Sequence, residues 1–172
     1  FNDILEKVSN YCFKNDISFK FVNSQEVLQW LLSKNANRSE SGKFMTIYPF
    51  NKVEFTKIVR ELYPLLKKYN GPYILSDKRY LDSKVIYYRY GIITSKIDNN
   101  IMKFPEGELE DKRVPFYIQP KYVNDPLEEN TPSKEPIEDI TTWVFETGTF
   151  VPTAKIQDGK QYSIVYILVI CS

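Results

Sequence analysis

The sequence contains no histidine and only two cysteines among its 172 residues. Histidine is the usual proton carrier near neutral pH and the commonest metal ligand, so acid–base chemistry here has to use other side chains. Cys12 and Cys171 are too few and too far apart for a disulfide framework or a metal knuckle, which favours a reducing, cytoplasmic location. We therefore predict no metal and no cofactor.

The chain also lacks an excess of charge of either sign and a long apolar run. It has 23 basic and 22 acidic side chains, a formal net charge of +1. A general electrostatic footprint for a nucleic acid is therefore missing, and any cationic site must be local. The longest apolar run, residues 164–171, is far shorter than the ~20 residues that span a bilayer. We expect neither a nucleic acid nor a membrane as partner.

Hydrophobic periodicity predicts an α+β fold with a mainly antiparallel sheet and two longer helices packed on it. Helical spacing indicates one helix over residues 2–15 and a second after the predicted cap Asn51. Ser24 is the predicted cap of a shorter helix between them. Strand patterns occupy the segments "ISFKFVN", "KFMTIY" and "SKVIYYRYG", with a proline-bounded edge strand in "RVPFYIQP".

The composition changes after residue 126. Residues 127–158 are acidic and contain several prolines, as expected of a linker. Residues 159–172 end in an apolar, β-prone run that is interpreted as the first strand of a further, truncated domain. The helix that begins almost at the first residue likewise suggests a cut through a longer chain.

The chain contains none of the local motifs of P-loop, zinc-protease or serine-hydrolase sites. What remains is a set of cations and one tyrosine at predicted strand and loop positions: Lys20, Arg38, Lys43, Tyr48, Arg79 and Arg89. Each has an ordinary alternative explanation. Lys20 is also typical of an edge strand protected by a charge, the Arg38–Lys43 loop also fits a solvated turn, and the nearby tyrosines also fit cross-strand packing.

Four blocks of sequence follow one another in a specific order: "ISFKFVNS", "NANRSESGKFMTIYP", "GPYILSDKRYLDSKVIYYRYG" and "DKRVPFYIQPKYVNDP". Together they resemble the N-terminal lyase domain of class III lanthipeptide synthetases, multidomain enzymes that modify ribosomally made peptides. The resemblance covers roughly residues 10–126. The closing "DGKQYSIVYILVICS" is similar to the linker and first strand of the kinase domain in those enzymes.

This resemblance implies a fold like that of the secreted bacterial phosphothreonine lyases and a domain division of 1–126 lyase, 127–158 linker and 159–172 start of a kinase-like domain. The implied reaction is β-elimination of phosphate from phosphoserine or phosphothreonine, which gives dehydroalanine or dehydrobutyrine. The implied partners are a phosphorylated precursor peptide and the kinase and cyclase domains of the same full-length chain.

The resemblance also implies roles for the site residues. Lys20 matches the lysine that removes the α-proton, and Tyr48 matches a tyrosine ten residues after the family's loop arginine, here Arg38. The implied phosphate-binding residues are Arg38, Arg79 and Arg89. Lys43 has no invariant counterpart in the secreted lyases, and we predict that it binds phosphate because it and Arg38 flank a Ser/Gly loop. The family typically also has a histidine on a strand before the first helix, and this sequence begins at that helix. As a base, Lys20 needs a lowered pKa, which neighbouring cations would provide.

Two other classes of function remain open from the sequence. A non-catalytic phosphopeptide or leader-peptide binding module would use the same arginines. A single-stranded nucleic-acid module would use the tyrosine-rich strand, although the balanced charge argues against it.

Overall fold

A computed structural model describes residues 2–37, 40–91, 101–111, 114, 116–127 and 165–171. The helices are α1 (Asn2–Lys14), α2 (Gln25–Leu31) and α3 (Lys52–Leu66). The strands are β1 (Ser18–Phe21), β2 (Lys43–Tyr48), β3 (Lys78–Arg79), β4 (Ile86–Gly91), β5 (Ile101–Phe104), β6 (Gly107–Glu110) and β7 (Val165–Cys171). Within the described ranges, no helix is both long and apolar enough to cross a bilayer.

The helices form where the local sequence predicts them. Helix α1 buries Ile4, Val8 and Cys12, which recur every four residues on one face. The Ser24 side chain accepts a hydrogen bond from the Val27 amide at the start of α2. At the start of α3 the Asn51 side chain accepts one from the Glu54 amide at 2.9 Å. Both predicted N-caps are confirmed.

The main sheet has the strand order β1-β2-β7-β4-β3, and all of its neighbouring strands are antiparallel. Helix α3 packs on one face of this sheet, where the Phe55 and Tyr88 rings lie 5.5 Å apart. The core between the helices and the sheet is made of buried apolar side chains such as Val8, Ile58 and Leu168. The structure thus combines helices with an antiparallel sheet, and the likeness to phosphothreonine lyases remains a prediction.

Strand β7 lies at the centre of the sheet, between β2 and β4. The sequence pattern instead predicts that residues 159–172 begin a further domain. Leu168, Val169 and Ile170 are all buried, as a strand covered on both faces requires. An apolar run of this kind looks the same whether it completes one sheet or begins another. Apart from Leu127, the predicted linker 127–158 lies outside the described residues, so the domain division remains a prediction.

A second, two-stranded sheet was missed. Strands β5 and β6 form a hairpin in which Met102 opposes Leu109. Both strands have only four residues, β6 has glutamates at alternate positions and β5 contains a lysine, so their hydrophobic pattern is weak. The proline-bounded edge strand predicted in "RVPFYIQP" is not seen, because residues 116–120 of that segment form no strand.

Candidate active site

One row of paired residues crosses the whole main sheet. Lys20 pairs with Thr46, Thr46 with Val169, Val169 with Tyr87, and Tyr87 with Arg79. Directly paired residues project from the same face of a sheet. Lys20 and Arg79, which are 59 positions apart in the sequence, therefore belong to one face of the sheet.

Three more of the predicted site residues project from that face. Tyr48 and Arg89 are each two residues further along their strands than Thr46 and Tyr87, in the same direction. Lys43 is an odd number of residues from Thr46, but a register shift between Lys43 and Met45 changes the alternation of the side chains. Lys43 therefore pairs with Cys171 and projects from the same face. Helix α3 packs on the opposite face. We call the face of the sheet that carries Lys20, Lys43, Tyr48, Arg79 and Arg89 the cationic face.

The cationic face therefore unites the five predicted site residues that the structure describes. Arg38, the sixth, lies outside the described residues. The five are spread across the sheet, because neighbouring strands are ~4.8 Å apart. Lys20 on β1 and Arg79 on β3 are separated by four such intervals, and Tyr48 and Arg89 by two. Lys20 and the arginines therefore lie on either side of the central strand β7, whose Val169 is buried on this face.

Lys20 is exposed on β1, which is paired on one side with β2 among the described strands. The adjacent aromatic side chains belong to the other face, where the Phe19 and Phe21 rings stack 6.3 Å apart. Lys20 is thus accessible to a ligand on the cationic face, and its strand is held in place through contacts on the opposite face.

The Lys43 side chain, unlike that of Lys20, is largely buried. Its ammonium group lies 2.9 Å from a carboxylate oxygen of Asp77, and the two side chains retain 10% and 0% of their surface. The Ser76 hydroxyl donates to the same Asp77 oxygen at 2.9 Å. Burial lowers the pKa of Lys43, the Asp77 charge opposes this shift, and the positive charge of Arg89 adds to it. A lysine with a lowered pKa, Lys43, therefore lies on the cationic face.

Arg89 is buried at the other end of this cluster. Its terminal Nη2 donates to a carboxylate oxygen of Asp111. Its Nε and the second carboxylate oxygen of Asp77 are buried, and neither has a hydrogen-bond partner in the part of the chain that the structure describes. Gly91 makes room for the pair, since a Cβ there would lie 2.9 Å from Asp111 Oδ2 and 3.1 Å from Arg89 Nη2.

Arg79 is buried and packs against an aromatic pair. Its guanidinium carbon lies 6.0 Å from the centre of the Tyr73 ring, a cation–π contact. Tyr73 in turn meets Tyr87 edge to face at 5.8 Å. This packing fixes the position of Arg79 at the end of the row that begins with Lys20.

The sequence analysis missed the two acidic partners, Asp77 and Asp111. Each directly precedes a basic pair, in "SDKRY" and "EDKRV". Acidic residues beside basic ones are usually solvated, so no local signal marked them as buried. Their role depends on which strand lies opposite, and this becomes visible only in the folded chain.

The chain belongs to the family described as "RamC, N-terminal domain", whose model matches residues 1–138. This match confirms the resemblance to the N-terminal region of class III lanthipeptide synthetases. A relative is the "Probable SapB synthase" of Streptomyces coelicolor (strain A3(2)), which is 37% identical over 131 residues. The matched region is 72% of this chain and 14% of that relative, so the chain spans a small part of the relative's length.

Proposed function

We propose that this domain is a phosphoserine/phosphothreonine lyase that removes phosphate from a phosphorylated precursor peptide by β-elimination. The observation that carries the proposal is the cationic face: the predicted base, the predicted tyrosine and three predicted phosphate-binding cations, distant in sequence, project from one side of the sheet. Membership of the RamC N-terminal domain family supports it.

In the proposed reaction Lys20 takes the α-proton of the phosphoresidue. The electrons of the broken C–H bond form the Cα–Cβ double bond, and the Cβ–O bond breaks with release of phosphate. No water and no covalent intermediate are needed. An α-proton beside a peptide carbonyl is very weakly acidic, so the amine must be neutral and close, and nearby positive charge must stabilise the developing enolate.

Lys20 is exposed in the structure, which suits a base that has to reach a bound peptide. A peptide bound over Lys20 would cover it and exclude water from its amine. Loss of hydration disfavours the charged form of a lysine, as does the approach of other cations. Substrate binding would then produce the neutral amine that the reaction requires.

The arginines supply the other half of the chemistry. Guanidinium groups bind phosphate through paired hydrogen bonds, and their charge stabilises the dianion as it leaves. Arg89 has a buried Nε without an acceptor among the described residues, so it has hydrogen-bonding capacity for a phosphate oxygen. We assign Arg79 and Lys43 to the positive field around the phosphate, because both are buried on the same face.

The relative supports a proposal about the wider setting. The name of the SapB synthase describes a synthase, and the resemblance places such domains in lanthipeptide biosynthesis. We infer that a kinase domain of the same full-length chain supplies the phosphopeptide and that a cyclase domain uses the dehydroamino acid, in the cytoplasm.

Incubation of the protein with a phosphoserine peptide tests the proposal. We expect the peptide to lose one phosphoric acid, measured by mass spectrometry. Lys20→Ala should bind the peptide with nearly unchanged affinity but eliminate at least ~10² times more slowly, since general base catalysis contributes that much or more. The matched control is Lys57→Ala, an exposed lysine of α3, which packs on the other side of the sheet.

Two results would contradict the proposal. Binding without any loss of phosphate in the unaltered protein would identify a phosphopeptide recognition module, the alternative that also uses a cationic face. An unchanged elimination rate in Lys20→Ala would remove Lys20 from the mechanism.

A further inference from the structure

A cavity of about 280 Å³ lies beside Arg89, and the proposed reaction does not use it. One wall is the β5–β6 hairpin, from which the paired residues Met102 and Leu109 face the cavity. The other wall is the segment 116–121, and Arg89 with Asp111 closes one end.

The surroundings of the cavity are fixed by aromatic contacts. Tyr90 stacks on Phe104 of the hairpin at 6.2 Å, and Phe104 contacts Tyr122 at 5.5 Å. These contacts join β4, the hairpin and the segment after residue 116. The cavity is therefore formed before a ligand arrives, as binding pockets usually are.

Several polar groups around the cavity bond to each other, and its other two charged lining residues, Glu110 and Lys121, are exposed at the surface. The Tyr117 hydroxyl donates to the Gln119 side chain, whose amide donates to the Val123 carbonyl at 2.7 Å. Arg89 and Asp111 neutralise each other at the end wall. The walls therefore present mainly apolar surface to a ligand. On the outer wall, Phe116 and Ile118 remain 58% and 54% exposed, which extends this apolar surface.

We propose that this cavity is a specificity subsite that takes an apolar side chain of the substrate peptide, within two residues of the phosphoresidue. The inference rests on the proposed function. Arg89 belongs both to the cationic face and to the cavity wall, so a phosphate held by Arg89 places the neighbouring peptide residues at the entrance. Consecutive Cα atoms are about 3.8 Å apart, and one or two residues suffice to reach it.

An apolar occupant fits the chemistry of the walls. A charged side chain would lose its hydration among mainly apolar walls. Arg89 and Asp111 already compensate each other, the Arg89 Nε is assigned to the phosphate, and Glu110 and Lys121 are solvated. The volume lies below the usual range of about 300–1,000 Å³ for small-molecule pockets, so it suits one side chain. Leucine in place of glycine near the phosphoserine should therefore strengthen binding.

Two phosphoserine peptides test the subsite: one carries leucine and the other glycine at both of the two positions on each side of the phosphoserine. Dissociation constants measured by fluorescence anisotropy should favour the leucine peptide about tenfold, the lower end of what apolar pockets achieve. Leu109→Trp, which fills the cavity from a partly exposed position, should abolish this preference while the glycine peptide binds as before. Leu109→Gln keeps the side-chain volume but removes apolar surface, so it should reduce the preference for the leucine peptide. If one variant does not fold, the other still tests the subsite.

The matched control is Ile101→Trp. Ile101 adjoins Met102 on β5 and projects from the other face of the same hairpin, so its replacement should leave the preference intact. Equal binding of the two peptides, or a preference that persists in both Leu109 variants, would overturn the subsite. Phosphate loss is measured separately in the same samples. A leucine preference without elimination would therefore refute the lyase and keep the subsite, whereas elimination without the preference would do the reverse.

Discussion

At the residue scale, the unusual feature is a lysine inside the protein. Lys43 and Asp77 form a buried pair that receives one further hydrogen bond, from Ser76. Breaking such a pair is costly because the remaining charge stays in the interior without compensation. Lys103 and Glu108 provide the contrast, since their charged groups are 3.8 Å apart and both side chains are mostly exposed.

We expect Lys43→Met to lower the free energy of unfolding by about 3 kcal/mol, since Asp77 is left buried without its cation. Lys43→Met with Asp77→Asn should regain more than half of that loss because the unpaired charge is gone. Lys103→Met should cost less than about 0.5 kcal/mol. Guanidinium denaturation followed by circular dichroism measures all three, and equal losses for the two lysines would show that the Asp77 pair contributes nothing special.

At the element scale, the central position of β7 determines the behaviour of a thiol. Cys171 lies at the end of this strand, with its sulfur 3.4 Å from the Pro72 carbonyl oxygen. Burial raises the pKa of Cys171, and burial of Cys12 on the inner face of α1 raises the pKa of Cys12 to about 12. The thiolate is the reactive form, so both cysteines should be inert in the folded protein.

Iodoacetamide at pH 8 should label neither cysteine in the folded state and both after unfolding. With its pKa near 12, native Cys12 should react about 10³ times more slowly, since each pKa unit changes the thiolate fraction tenfold. The raised pKa values also mean that the unfolded chain loses these protons first. This contribution to stability is therefore full below the ordinary value of about 9 and declines above it.

Mass spectrometry of each labelled peptide provides the measurement. Rapid native labelling of Cys171 with Cys12 protected would contradict the placement of β7 in the middle of the sheet. Equal protection of Cys12 and Cys171 from labelling would support a sheet in which residues 165–171 unfold only together with the other strands.

At the scale of the whole molecule, the charge is balanced overall but unevenly arranged. The net charge is +1, yet five of the predicted site residues, four of them cations, project from one sheet face. Such an arrangement favours a compact anion over a long one, because a polyanion gains from charge spread along its whole length.

We expect a phosphoserine peptide to bind at least about tenfold more tightly than the same peptide without phosphate, with an affinity that falls as salt is added. A single-stranded oligonucleotide should bind no better than the unphosphorylated peptide. Anisotropy titrations at two salt concentrations compare the three ligands. Tighter binding of the oligonucleotide than of the phosphopeptide would favour the nucleic-acid module instead.

The sequence alone determined the local elements and the family. Apolar residues at every fourth position and the caps Ser24 and Asn51 specify the helices, because these signals act within a few residues of the chain. The order of four sequence blocks identified the family that the match to residues 1–138 then confirmed. The hairpin β5–β6 was not predicted from the sequence, because its strands are short and their hydrophobic pattern is weak.

Only the tertiary structure decided how these pieces meet. Strand register places Lys20 and Arg79 in one row. Strand β7 lies at the centre of the sheet, although its first residue, Val165, is 74 positions after its partner Gly91 in the sequence. The burial of Lys43 depends on Asp77, and that of Arg89 on Asp111. Pairing between distant segments and the shelter of a charge both depend on neighbours in space, which a local sequence pattern does not contain.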